Sequence, residues 1–199
     1  MIYVFGDSYS ELSTRSRENY VTWPKLLNSN FKVRNYSKSG TGPQFSFRRF
    51  FNCYNNFTKD DIIIFILSSP DRDEIIESNL KNLEFLNSLH NVKKTIVFYS
   101  FSDDVLKNYN YQNDEKFYFY NQPLENISNK ELYYDDYIEK INEGSKGRDL
   151  RANHLSKLNH LIFFEMLKDI IYNDVKEYKF FEHFRSLEET YVKSQFIYE

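Results

Sequence analysis

The 199-residue chain predicts an α/β protein, a three-layer α/β/α sandwich around a mostly parallel five-stranded sheet. Three observations carry this expectation. Short β-branched or aromatic runs alternate with segments of helical periodicity, the order that favours crossover connections and parallel strands. Two of the runs, Asp61–Leu67 (DIIIFIL) and Thr95–Tyr99 (TIVFY), are apolar nearly throughout at strand length, as strands covered on both faces are. The composition supplies a core: 41% hydrophobic and 19% aromatic residues give enough apolar area to offset the entropy of ordering the chain.

The elements follow in order. Ile2-Tyr3-Val4-Phe5 reads as a strand that stops at Gly6-Asp7-Ser8. Tyr20, Trp23, Leu26 and Leu27 fall at helical spacing within Asn19–Asn28, with Pro24 suited only to a first turn. Phe31–Tyr36 alternates as a second strand, and Ser37–Pro43, with Gly40 and Gly42, is a loop. A helix over Gln44–Tyr54 exposes Arg48 and Arg49. After the Asp61–Leu67 strand and its Ser68-Ser69-Pro70 stop, Ile75, Leu80, Leu83 and Leu86 mark a helix within Glu74–Leu89. Thr95–Tyr99 is the fourth strand and Lys116–Tyr120 the fifth. A helix over Asn129–Asn142 leads through a polar stretch to an amphipathic helix over Leu155–Tyr172, whose expected buried face is Leu158, Leu161, Ile162, Phe164, Leu167 and Ile171. No linker or repeat divides residues 1–199, so one domain is expected, with 173–199 as a C-terminal helical extension. Phe180, Phe181, Phe184 and Tyr191 of that tail suit either the domain's own core or an oligomer interface.

Composition also excludes function classes. A net charge of −3 lacks the basic excess of a general nucleic-acid binder. No apolar run approaches the roughly 20 residues that span a bilayer. The N-terminus has no basic region followed by an apolar stretch, so no signal peptide is expected and the expected compartment is the cytoplasm. The one cysteine, Cys53, excludes an internal disulfide and a cysteine-based zinc site.

In a parallel sheet, ligands bind at the carboxyl ends of the strands, which directs attention to Gly6–Ser10, Ser37–Pro43, Ser68–Arg72 and Ser100–Asp104. Ser8 sits on a strand-to-helix turn, where a hydroxyl is presented beside unpaired backbone N–H groups; the same residue type is also a common helix cap. Gly40 lets the backbone approach a bound group and donate to an oxyanion, or simply supplies a positive φ to its turn. Among the 4 histidines, His154 stands where the polar stretch enters the last long helix, in position to serve as a base for Ser8. His90 suits a helix C-terminus, His160 a buried position and His183 a structural one in the tail. The His154/His160 pair lacks the i, i+4 spacing of a metal site, so no metal is expected.

Taken together, these segments resemble the SGNH (GDSL) hydrolase superfamily. Phe5-Gly6-Asp7-Ser8-Tyr9-Ser10 resembles its first block, Asn35 with Gly40 its second, and Asn153-His154-Leu155-Ser156 the block that supplies the catalytic histidine. The match runs in order from Ile2 to about Tyr172. It implies a flavodoxin-like fold and a serine esterase or deacetylase without metal or organic cofactor, acting on a small-molecule or carbohydrate ester. In that reading Ser8 is the nucleophile, His154 the base, and Ser8 and Gly40 donate to the oxyanion.

Two positions depart from the family pattern. Its third block, Gly-x-Asn-Asp, is replaced by Ser68-Ser69-Pro70-Asp71-Arg72, similar to that of divergent, often phage-encoded members. Ser69 or Arg72 can replace the missing oxyanion donor. Alternatively Arg72 binds an anionic substrate, with Asp7 as a second substrate-binding residue, or Arg72 pairs at the surface with Asp71, Asp73 or Glu74. The family's acid, three residues before the histidine, is Arg151 here, leaving Asp149 as the candidate to orient His154. Two further readings stand beside the hydrolase: a catalytically impaired module of the same fold that binds a ligand, carbohydrate or protein, and an unrelated flavodoxin-like domain holding a phosphate at the Ser8 turn.

Overall fold

The computed structural model describes residues 1–11, 22–73, 78–109, 111, 114–127, 155, 157–173 and 181–187. Five parallel strands form one sheet: β1 (Ile2–Phe5), β2 (Val33–Asn35), β3 (Ile62–Leu67), β4 (Lys94–Tyr99) and β5 (Phe117–Pro123), in the order β2-β1-β3-β4-β5. The helices are α1 (Trp23–Asn30), α2 (Pro43–Cys53), α3 (Asn79–Asn87), α4 (Asp104–Lys107), α5 (Lys157–Asn173) and α6 (181–187).

The three layers follow from the two-residue period of the strands. Ile2, Val4, Ile62, Ile64, Ile66, Ile96, Phe98, Tyr118 and Tyr120 share one core with Trp23 and Leu27 of α1 and the apolar side of α5. The alternate positions, Tyr3, Phe5, Ile63, Phe65, Leu67, Val97, Tyr99, Phe117 and Phe119, share a second core with α2 and α3. Every residue of β3 and β4 is buried, which explains why both runs lack polar alternation. Lys94 is accommodated because its Nζ donates to the Ile170 carbonyl at 2.6 Å.

The helix bounds refine the sequence expectations. α1 begins at Trp23, with Pro24 in the first turn, where its missing N–H costs nothing. β2 is shorter than Phe31–Tyr36: Phe31 closes α1 by donating its N–H to the Leu27 carbonyl at 2.8 Å, and Tyr36 lies just past the strand, bonded to the Val4 carbonyl. In α5, Ile162, Phe163, Phe164, Met166, Leu167, Ile170 and Ile171 are buried, but Leu161 is 37% exposed. Leu161 lies on the side carrying Glu165 and Lys168, which form an i, i+3 ion pair, so it is not part of the buried face. Leu158's side chain, Phe180, Tyr191 and the expected 129–142 helix lie outside the described residues. Phe181 and Phe184 of α6 enter the α1/α5 core and cover the domain itself.

Candidate active site

The strand order reverses direction beside β1, since the chain passes from β1 outward to β2 and then back to β3. The carboxyl ends of β1, β2 and β3 therefore carry neighbouring loops at the place where open α/β sheets bind ligands.

The turn after β1 is tightly built. A Cβ on Gly6 would stand 2.5 Å from Ser10 Oγ and 2.7 Å from Ile66 Cβ, so only glycine fits between the turn and β3. Asp7 is fully buried, and its Oδ1 accepts the Tyr9 N–H at 3.1 Å while the Ser10 N–H closes the turn on the Asp7 carbonyl at 3.1 Å. Tyr9 is buried too, and its carbonyl accepts Trp23 Nε1 at 2.7 Å, which ties the turn to α1. Ser8, between these anchors, is partly exposed. Apart from turn chemistry, then, every neighbour of Ser8 faces inward and Ser8 alone reaches the edge.

The β2 loop is fastened to this turn. Asn35 Nδ2 donates to the Ser10 carbonyl at 2.6 Å, Ser10 Oγ donates to Ser37 Oγ at 2.9 Å, and the Lys38 N–H donates to the Gly6 carbonyl at 3.1 Å. Gly40 has φ +76° with open space around its missing side chain, so its turn requires glycine for conformation and not for packing. Among the described residues neither the Ser8 N–H nor the Gly40 N–H is donated to a protein acceptor.

From β3, Ser69 is partly exposed and starts a short 3₁₀ turn, Pro70–Arg72. That turn brings Arg72 Nη1 to 3.8 Å from Asp7 Oδ2 and lays the guanidinium 4.5 Å above the Phe101 ring, from the loop after β4. Among the described residues Arg72 does not pair with Asp71 or Asp73, its neighbours in sequence. Asp73 instead accepts the Gln44 N–H at 2.7 Å and caps α2, in the space a Gly42 side chain would fill. Asp7, expected to contact substrate, lies beneath the surface and holds the turn and Arg72.

The electrostatics of Asp7 are those of an incompletely compensated charge. Burial pushes its pKa up, opposed by the Ser100 hydroxyl, the Tyr9 N–H, the Ser68 hydroxyl and Arg72. Oδ2 makes no hydrogen bond, and Ser68 and Ser100, at the ends of β3 and β4, approach without reaching hydrogen-bond geometry. Asp103 is more fully used: it caps α4 through Val105 and Leu106 and accepts Asn79 Nδ2 at 3.1 Å, so the segment after β4 is pinned at its start.

His154 and Asp149 lie outside the described residues. The start of α5 is nevertheless fixed. Leu155 is buried in the α1/α5 core, Asn159 Nδ2 donates to the Ile127 carbonyl at 2.7 Å just beyond β5, and buried His160 accepts the Trp23 N–H on Nδ1 at 3.4 Å. Those contacts set the first turn of α5 at the carboxyl edge, level with the start of α1. His90 and His183 are exposed. Among the described residues no three His, Cys, Asp or Glu side chains gather in a metal-holding group, and no helix is long and apolar enough to cross a membrane.

Sequence reasoning missed Phe101, the Trp23–Tyr9 brace and the Asp73 cap. Only the last left a signal: Gly42-Pro43-Gln44 opens a helix with no side chain able to cap it, so an acceptor from elsewhere is required. No protein-family model and no curated protein matches the chain.

Proposed function

We propose that this chain is a serine hydrolase that cleaves an acyl ester, an esterase or deacetylase of the kind the SGNH superfamily comprises. One observation carries the reading: Ser8 alone is turned outward from a buried turn at the carboxyl edge, and its N–H and that of Gly40 are both unspent. Ser8 is partly exposed and Gly40 exposed, so both N–H groups are open at this edge to hold a ligand or a developing charge.

In the proposed reaction His154 accepts the Ser8 hydroxyl proton as Oγ attacks the ester carbonyl. The Ser8 and Gly40 N–H groups hold the oxyanion, with the Ser69 hydroxyl as a third donor in place of the family's asparagine. Collapse expels the alcohol, which takes the proton from His154. Water then enters by the same route in reverse, releasing the acid and restoring Ser8. Asp149 or a backbone carbonyl orients the imidazole. The anchored Leu155 and the first turn of α5 support His154 as the base because they hold its next residue in sequence in the α1/α5 core.

Hydrolysis of short p-nitrophenyl esters by wild type, Ser8→Ala and His154→Ala tests this. Each substitution is expected to lower kcat by at least about 10³-fold while leaving the fold intact, as loss of a nucleophile or base does. Activity that survives Ser8→Ala overturns the assignment. A protein that neither hydrolyses esters nor reacts at Ser8 with a fluorophosphonate is instead the binding module of this fold.

A further inference from the structure

The hydrolase reading leaves open what the guanidinium beside the nucleophile turn does. Arg72 lies 3.8 Å from Asp7 Oδ2, an ion-pair distance but longer than the roughly 2.7–3.2 Å of an N–H···O hydrogen bond. Its backbone N–H donates to the Ser69 carbonyl at 3.3 Å, but no acceptor among the described residues takes a guanidinium N–H. The pair is closed on one side and open on the other: the Asp7 side chain is 0% exposed and that of Arg72 31%. Phe101 covers one face of the guanidinium, and Tyr9 in turn packs edge-on against Phe101 with centroids 5.7 Å apart. The fork is thus held at one corner and one face and is otherwise partly open to solvent, paired with the aspartate that precedes Ser8 in the turn after β1. A fixed guanidinium with unspent donors is a receptor for a planar anion.

We propose that Arg72 is the anion receptor of this edge, and that the substrate is an ester carrying a carboxylate beside the bond to be cleaved. A monoanion is favoured over a phosphate dianion because Asp71, Asp73 and Asp103 stand on the same loops and repel a second negative charge more strongly. Asp7 has a defined part here. Buried and short of partners, it aligns Arg72 without occupying the donors that a ligand needs. The ester half of the proposal rests on the Ser8 reading; the carboxylate half stands without it, and the two are separable by experiment.

Binding is measured first, on Ser8→Ala protein so that no turnover intervenes, with monomethyl succinate and its neutral dimethyl ester as probes. The monoanion is expected to bind at least about tenfold more tightly, the effect of one charge-assisted contact. Arg72→Gln in that background is expected to bring the two affinities together, and Arg72→Lys, which keeps the charge but loses the fork, to restore part of the difference. Equal binding of the two probes, no binding of either, or a preference that survives Arg72→Gln overturns the proposal. Should Arg72→Gln unfold the protein, the Arg72→Lys comparison decides alone, because a receptor fork predicts a reduced preference and an uninvolved residue an unchanged one. Turnover of p-nitrophenyl hemisuccinate against p-nitrophenyl butyrate by the otherwise wild-type enzyme then reads the ester half. A preference expressed in KM supports the whole proposal. Anion binding without any hydrolysis retains the receptor and removes the ester.

Discussion

Two buried aspartates stand at opposite ends of the same sheet and are treated in opposite ways. Asp61, just before β3 at the amino edge, has both oxygens occupied: Oδ1 meets the Met1 ammonium at 2.9 Å, and Oδ2 accepts the Thr58 N–H and hydroxyl at 2.8 and 2.9 Å. Asp7, just after β1 at the carboxyl edge, has one oxygen occupied and one without a hydrogen bond. Burial raises the pKa of both, but at Asp61 the ammonium and Thr58 bonds outweigh it and the net shift is downward, while at Asp7 burial prevails. The amino edge is finished as structure. The carboxyl edge keeps unspent donors and an undercompensated charge, which is how folded proteins tend to look where function is placed.

Breaking the finished end has the larger expected effect on stability. Asp61→Ala removes three charge-assisted contacts, to the Met1 ammonium and to the Thr58 N–H and hydroxyl, and a loss of about 3 kcal/mol is expected from urea unfolding. A loss below about 1 kcal/mol would erase the contrast between the two ends.

The next effect separates two glycines of the carboxyl edge. Gly6→Ala forces a methyl to within 2.7 Å of Ile66 Cβ and 2.5 Å of Ser10 Oγ, and about 2–3 kcal/mol of destabilisation is expected from overpacking. Gly40→Ala meets open space and bears only the left-handed backbone, at about 1 kcal/mol. If the two cost the same in thermal unfolding, the tight packing around Gly6 does not set the turn after β1.

The smallest effect has a sign as its signature. The folded pKa of Asp61 lies below its ordinary 3.8, so the stability it contributes is present above that value and lost as pH falls through the folded pKa. Asp7 lies above 3.8, so its contribution is full below that value and lost as pH rises through the folded pKa. Asp7→Asn is therefore expected to raise the urea midpoint at neutral pH and leave it near wild type in acid. Asp61→Asn is expected to do the reverse, flattening the acid limb. An Asp7→Asn protein less stable than wild type at every pH would make Asp7 as structural as Asp61.

Much of this arrangement is legible locally. DIIIFIL and TIVFY announce covered strands because burial on two faces leaves no room for polar alternation, and both occur as written, within a residue. Ser8 is visible as a strand-end residue because Ile2–Phe5 stops at a glycine that the packing demands. Leu161 falls off the buried face because a helix of this length tolerates more than one apolar stripe, and only the neighbours of α5 select among them. The acid–base half of the proposed triad, Asp149 and His154, rests on order and resemblance alone.

The sequence by itself determined the alternation of strands and helices, the parallel sheet and the serine in the turn after the first strand. All of these follow from periodicity and from turn residues within a few positions of one another. Tertiary structure alone decided who answers whom. Arg72 has carboxylates beside it in sequence at Asp71 and Asp73, yet it turns to Asp7, while Asp73 leaves it to cap α2. The reason is topological: the order β2-β1-β3 lays the ends of β1 and β3 side by side, and a charge pairs with what the sheet brings near rather than with what the chain supplies next.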